Sequence, residues 1–182
     1  MADLTTLAAV KAYGSIAGTE LDALLTALIS RASAAVENFL QGSVLSASYT
    51  ETRNGTGGQA MLLAEYPVTA ASAVTVNGQV IPKAAAFGQT GWWLADRTIL
   101  LVGYSFTRGR NNVQVTYTAG YASVPGDIEQ AVIETVLLAL NRRGHIDISS
   151  KALAGETINF ITADLTPSSK AVLNSYRRVA PL

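Results

Sequence analysis

Residues 115–144 read VTYTAGYASVPGDIEQAVIETVLLALNRRG, and this stretch decides the fold. An alternating strand-like run ends at Gly120-Tyr121, Val124-Pro125-Gly126 stops it, and a long apolar helix follows. Gly120 suits a close backbone approach or a positive φ, and Pro125 halts strand pairing. Asp127 is placed as an N-cap, with Gln130 in position to reach back as in a capping box. Ile128, Ala131, Val132, Val136, Ala139 and Leu140 form a broad stripe, widened by Ile133, Leu137 and Leu138. Arg142 and Arg143 suit the negative helix end, and Gly144 terminates it. Enzymes often place chemistry at such a strand-to-helix junction. This one carries no nucleophile–base pair, no phosphate loop and no metal ligands.

Upstream, residues 44–119 have the period of strands. SASYTETR alternates, NGTGG turns, and QAMLLA returns. AVTVNGQVI sets Asn77-Gly78 between two β-like runs, a strong hairpin signal. GWWLAD, TILLVGYSF and NVQVTYTAG add further strands. Five to seven short strands with tight turns imply an antiparallel sheet curled into a small sandwich or barrel. Further upstream, Leu21, Leu24, Leu25, Leu28, Ile29, Ala32, Val36, Phe39 and Leu40 repeat at helical spacing. Thr19 and Asp22 approximate a capping box, and Gly42 ends the helix. At 1.5 Å per residue its ~20 residues span roughly 30 Å. The small residues from Ala32 to Ala35 let another helix come close. DLTTLAAVKAYG makes a short first helix, with Asp3 as cap and Gly14 at its end. Beyond the junction, ETINFITA reads as an edge strand. Thr166 and Pro167 start a last short helix.

The expected fold class is therefore α+β. Two long helices plus short terminal helices form a helical core, which carries an inserted antiparallel β-sheet or sandwich subdomain and an extended C-terminal arm. The expected division is 1–43 helical, 44–119 inserted β, 120–148 long helix completing the core, and 149–182 the arm.

Composition narrows the function. The chain has 182 residues, 49% of them hydrophobic, so a true core is expected. Charged residues make up 14%, with 13 basic and 13 acidic, against about 25% charged in a typical domain. Counted by segment, the net charge is −2 for residues 1–43, +2 for 44–123 and 0 for 124–182. A neutral, charge-poor chain lacks the footprint of a dedicated DNA-binding domain. Either other protein covers part of its surface, or the surface is rich in Thr, Ser, Asn and Gln. There are no cysteines, hence no disulfide and no thiolate metal site. No run approaches about 18 apolar residues, and no basic n-region opens the chain, so neither a membrane span nor a signal peptide is expected.

Chemistry finds little to build on. His145 is the single histidine. A hydrolase using it would need Asp147 and Ser149 or Ser150, too close in sequence for a working triad. Glu129 and Glu134 are five apart and share no helix face. NGTGGQ lacks the Lys-Ser/Thr of a phosphate loop. Trp92-Trp93 point to opposite faces of a strand, so one is core and the other is open to a sugar or a subunit. A carbohydrate- or cell-surface-binding β module built on Trp92 or Trp93 is the alternative reading. Arg108 and Arg110 sit in a turn as a weak candidate for DNA contact. SYRRVAPL combines Tyr176, Arg177 and Arg178 with Val179, Pro181 and Leu182, a composition suited to docking.

Three stretches, LTALISRASAAVENFL, VTYTAGYASVPGDIEQAVIETV and SSKALAGETINF, resemble the head–tail connector (adaptor) proteins of long-tailed phages and prophages. The resemblance covers nearly the whole chain in order and spacing. It implies a structural virion protein of the neck, assembled in the host cytoplasm as a dodecameric ring. The ring would lie between the portal protein and the next neck or tail-completion protein. DNA would pass through without specific binding, and neither a cofactor, a catalytic residue nor a membrane would be involved. On this reading the arm meets the portal through Lys151, Phe160, Ile161, Tyr176, Arg177, Arg178, Val179, Pro181 and Leu182. Ala32, Ala35, Val36, Phe39, Val132 and Val136 are the expected subunit-packing residues. In a closed ring of identical copies each protomer covers two different side surfaces, which suits a chain of low charge.

Overall fold

The computed structural model describes residues 2–86, 88–143, 150–153, 156–159 and 165–177. Two compact units divide the chain: a helical unit, Met1–Gly42 with Val124–Arg177, and a β unit, Ser43–Ser123.

The helical unit contains α1 (Leu7–Tyr13), α2 (Asp22–Leu40), α3 (Gly126–Arg142) and α4 (Pro167–Asn174). α2 buries Leu25, Ile29, Ala32, Val36 and Leu40 at the expected spacing. It packs on α1, α3 and α4. α3 answers with Ile128, Ala131, Val132, Ile133 and Val136. Each fully buried aliphatic side chain stabilises the unit by roughly 1.5–3 kcal/mol relative to exposure. By length and hydropathy α2 alone would pass as a membrane-crossing helix, but its apolar face is covered by the other three helices.

The helix ends differ from expectation. α1 is capped by Thr6, whose Oγ1 accepts from Ala9 N, and not by Asp3. Leu21, not Thr19, stands at the N-cap of α2, and no side chain caps it. Gln41 takes the left-handed conformation at its C-terminus (φ 61°), leaving Gly42 to donate to the Glu37 carbonyl. α3 begins two residues early, with Pro125 and not Asp127 at the N-cap. Gln130 donates to Glu134 along the helix instead of reaching back. α4 keeps its expected start: Thr166 Oγ1 accepts from Ser169 N, and Pro167 fills N1. Also in this unit, β8 (Ser150–Leu153) and β9 (Glu156–Asn159) form an antiparallel hairpin, so the expected edge strand has a partner.

The β unit holds seven strands, β1 (Ala47–Gly55), β2 (Ala60–Leu62), β3 (Val68–Val76), β4 (Gln79–Ile81), β5 (Gly91–Ala95), β6 (Thr98–Val102) and β7 (Gly109–Ala119). They make a four-stranded sheet, β1-β7-β3-β4, and a three-stranded one, β2-β6-β5. Asn77-Gly78 makes the β3–β4 turn. NGTGG does not make a hairpin: β1 pairs with β7, whereas β2 leaves for the other sheet and pairs with β6. One core lies between the sheets, with Trp92, Ile99, Phe106, Val113, Val115 and Tyr117 among its members.

Candidate assembly surfaces

The opening junction is a construction element. Gly120 has φ +112°, and a Cβ there would lie 2.6 Å from the Leu45 carbonyl oxygen. Both reasons for glycine therefore apply at once. The chain passes Leu45 and Tyr121, which form an isolated bridge, and enters α3 through Pro125.

The carboxylates of the helical unit bond mostly to neutral groups. Asp3 accepts from Ser30 Oγ at 2.8 Å. Glu129 accepts from Thr5 Oγ1 at 3.1 Å. Glu134 accepts from Ser169 Oγ at 2.9 Å, which ties α4 to α3. Asp127 takes the Tyr176 hydroxyl at 2.6 Å. Arg177 lies over the Phe39 ring, 5.7 Å from its centroid. The start of the expected docking segment thus folds back on its own helices. Lys151 lies in β8, while Phe160, Ile161, Arg178, Val179, Pro181 and Leu182 lie outside the described residues. His145, Asp147 and Ser149, the hydrolase candidates, lie outside them as well.

The subunit-packing set needs correction. Val36, Val132 and Val136 are fully buried and Ala32 is 6% exposed, so all four belong to the protomer's own core. Of the six residues, Ala35 and Phe39 stay half-buried. The N-terminal segment approaches one of the small residues. Leu4 is buried, and its N–H donates to Ser33 Oγ at 3.0 Å.

The strongest polar cluster in the β unit is structural. Tyr117 is 1% exposed, and its hydroxyl donates to Glu51 Oε1. The same carboxylate oxygen accepts from Ala64 N at 2.9 Å, and Glu65 N donates to the Tyr117 hydroxyl at 3.0 Å. Glu51 Oε2 lies 2.9 Å from Arg53 Nε, and Arg53 Nη1 donates to the Leu62 carbonyl. Arg97 donates to the carbonyls of Leu63 and Ala64. Burial, then the bond to Glu51 and its negative charge, push the Tyr117 pKa well above the usual tyrosine value. These groups hold residues 63–65, which follow the end of β2; they spell out no proton-transfer pair aimed at a cleft. Sequence reading missed them because Glu51 and Arg53 lie in β1 and Tyr117 far along the chain in β7, and the tyrosine reaches the pair only when β1 pairs with β7.

Trp92 is core, at 2% exposure, with Lys83 over its ring, and Trp93 is half-buried. Arg108 and Arg110 are both exposed; Arg110 lies within β7 and not in the turn. A groove of about 660 Å³ runs beside β1 and β2, lined by Arg53, Asn54, Met61 and Leu62 among others. Among the described residues, no group of three or more His, Cys, Asp or Glu is placed to hold a metal ion.

A family model described as head completion protein (HCP) matches residues 3–179. The chain belongs to the head completion protein family. Solved structures share the fold of this head completion protein. A chain in the neck of an empty GTA particle, computed with C6 symmetry, is 20% identical with a TM-score of 0.61, and the match covers 100% of this chain and 95% of that one. A chain in the neck of a native GTA particle, computed with C12 symmetry, is 20% identical at TM-score 0.57, over 97% and 90%. A chain in the virion of the native gene transfer agent particle is 22% identical at TM-score 0.52, over 91% and 82%. No curated protein matches the sequence.

Proposed function

We propose that this head completion protein is a structural component of a phage-like neck, where it forms a ring joining the portal to the next neck or tail protein. The observation that carries the reading is the match of the family model to residues 3–179, together with a fold shared along the whole chain with a neck chain of the GTA particle. The protein acts by shape. Its described polar clusters tie its own backbone together, and its side surfaces remain for identical copies.

Within that reading, Ala35 and Phe39 on α2 contribute to contacts between copies. Lys151, Phe160, Ile161, Tyr176, Arg177, Arg178, Val179, Pro181 and Leu182 belong to the arm that meets the portal. DNA passes through the ring without sequence preference. A glycan-binding module loses its support, because Trp92 is buried and Trp93 is half-covered.

Cosedimentation with the portal protein, followed by electron microscopy of the complex, tests the proposal. The expected result is a rotationally symmetric collar beneath the portal. A chain that stays monomeric, never sediments with the portal, and is found elsewhere in the particle would overturn it.

A further inference from the structure

The four-stranded sheet ends in two different open edges. Among the described residues β1 pairs with β7 alone and β4 with β3 alone. From Ala47 to Arg53, β1 has no bulge, no lysine and no proline, devices that commonly guard a free edge. Other edges of the unit are guarded. β3 has two register shifts, and there the Thr69 and Ser72 hydroxyls donate to the carbonyls of Thr118 and Thr116 on β7. β5 is flanked by residues 82–84, because Trp92 N donates to the Pro82 carbonyl and Ala84 N to the Trp92 carbonyl.

The two open edges suit each other. Each neighbouring pair in the order β1-β7-β3-β4 is antiparallel, so β4 runs against β1. A second copy, set beside the first by rotation about an axis along the strands, presents its β4 to β1 in the antiparallel sense. The sheet then continues from copy to copy.

One row of paired residues crosses the sheet: Thr52, Gln114, Thr75 and Val80. Thr52 lines the groove beside β1 and β2, together with Ala60, Met61 and Leu62. Val80, at the far end of the row, is 68% exposed, the most exposed large apolar side chain among the described residues. Leu62 is 42% exposed. An apolar knob thus stands at one end of the sheet, and a groove with apolar lining opens at the other. Charge does not oppose their meeting. Residues 77–81 carry none, and Glu51 and Arg53 of β1 neutralise each other at 2.9 Å.

The tip of the unit fixes both edges. Asn112 Nδ2 donates to Asn77 Oδ1, and Gly55 N to Asn112 Oδ1, both at 2.8 Å. Asn111 N donates to Asn54 Oδ1, also at 2.8 Å. These bonds tie the β3–β4 turn to the end of β1, so the edges are set before a neighbour arrives.

We propose that neighbouring copies join through this sheet: the β4 edge of one copy, led by Val80, docks beside Thr52 on the β1 edge of the next, against Leu62. The contact is heterologous, as a closed ring of identical copies requires. It rests on the reading of the chain as a ring-forming neck protein.

The chain has no cysteine, so disulfide trapping tests the contact directly. Within one chain Thr52 and Val80 lie three strand spacings apart, roughly 14 Å, beyond the ~7 Å reach of a disulfide. The full-length Thr52→Cys/Val80→Cys chain is mixed with the portal, imaged by electron microscopy, oxidised and run on a denaturing gel. A collar and a ladder of covalent multimers are expected, with almost no dimer from either single-cysteine variant. A collar without a ladder would overturn this interface and leave the ring reading intact. Dimers from one cysteine alone, as abundant as those from the pair, would mean that like edges meet and would overturn it too. If the parent chain forms no collar, the ring reading and the interface fall together. Val80→Asp should keep the parent's melting temperature and lower the amount of chain bound in collars at least tenfold; binding equal to the parent's would count against the contact.

Discussion

At Gly120 a single hydrogen atom decides whether the chain can turn. A Cβ would meet the Leu45 carbonyl oxygen at 2.6 Å and the Ser46 Cα at 2.8 Å, on a backbone already at φ +112°. Gly120→Ala should therefore cost about 2 kcal/mol or more, read as a lowered urea midpoint. Tyr117 makes the second residue-scale prediction. Tyr117→Phe leaves the Glu51 carboxylate and the Glu65 N–H short of a partner and should cost about 1–3 kcal/mol. The pH dependence has a definite sign. The folded pKa lies above the unfolded value of about 10, so the protonated hydroxyl's contribution is complete below that pH and declines as pH rises past it. Urea melts at increasing alkaline pH should show a steeper loss of stability in the parent than in Tyr117→Phe. Equal slopes would mean that Tyr117 ionises as freely in the fold as outside it.

Among the elements, α4 is the one held by few and identifiable contacts. Thr166 caps it, Ser169 bonds to Glu134, and Leu173 is fully buried. Thr166→Ala removes the cap and should lower stability by about 1 kcal/mol. Amide exchange should quicken in residues 167–174 while α2 and α3 keep their protection; uniform acceleration across all three helices would argue against a separate α4. The cap of α4 was legible because Thr-Pro is a local signal. The caps of α2 and α3 were not, since Leu21 and Pro125 take those positions through the path of the chain and no side chain serves them. The same limit applies to β2. Its sequence suggests a return along β1, and only pairing with β6 places it in the other sheet.

On the scale of the whole molecule, Ser43–Ser123 is one continuous stretch with its own core. Expressed alone, residues 43–123 should unfold cooperatively and keep the alkaline sensitivity that Tyr117 confers. A fragment that binds a hydrophobic dye and melts without a transition would show that the β unit depends on the helical one.

By itself the sequence determined what repeats or what acts locally: the apolar stripes of α2 and α3, the Asn-Gly turn, the glycine at 120, and the absence of a recognisable catalytic motif. The tertiary structure decided which surfaces exist at all. Val36, Val132 and Val136 have the composition of an interface and of a core alike, and only packing shows that the protomer has already covered them. The same holds for the tip, where Asn54, Asn77 and Asn112 lie far apart in the chain yet join one hydrogen-bonded end. Spacing along a chain reports which face a residue lies on; what that face touches depends on contacts between segments that no local pattern encodes.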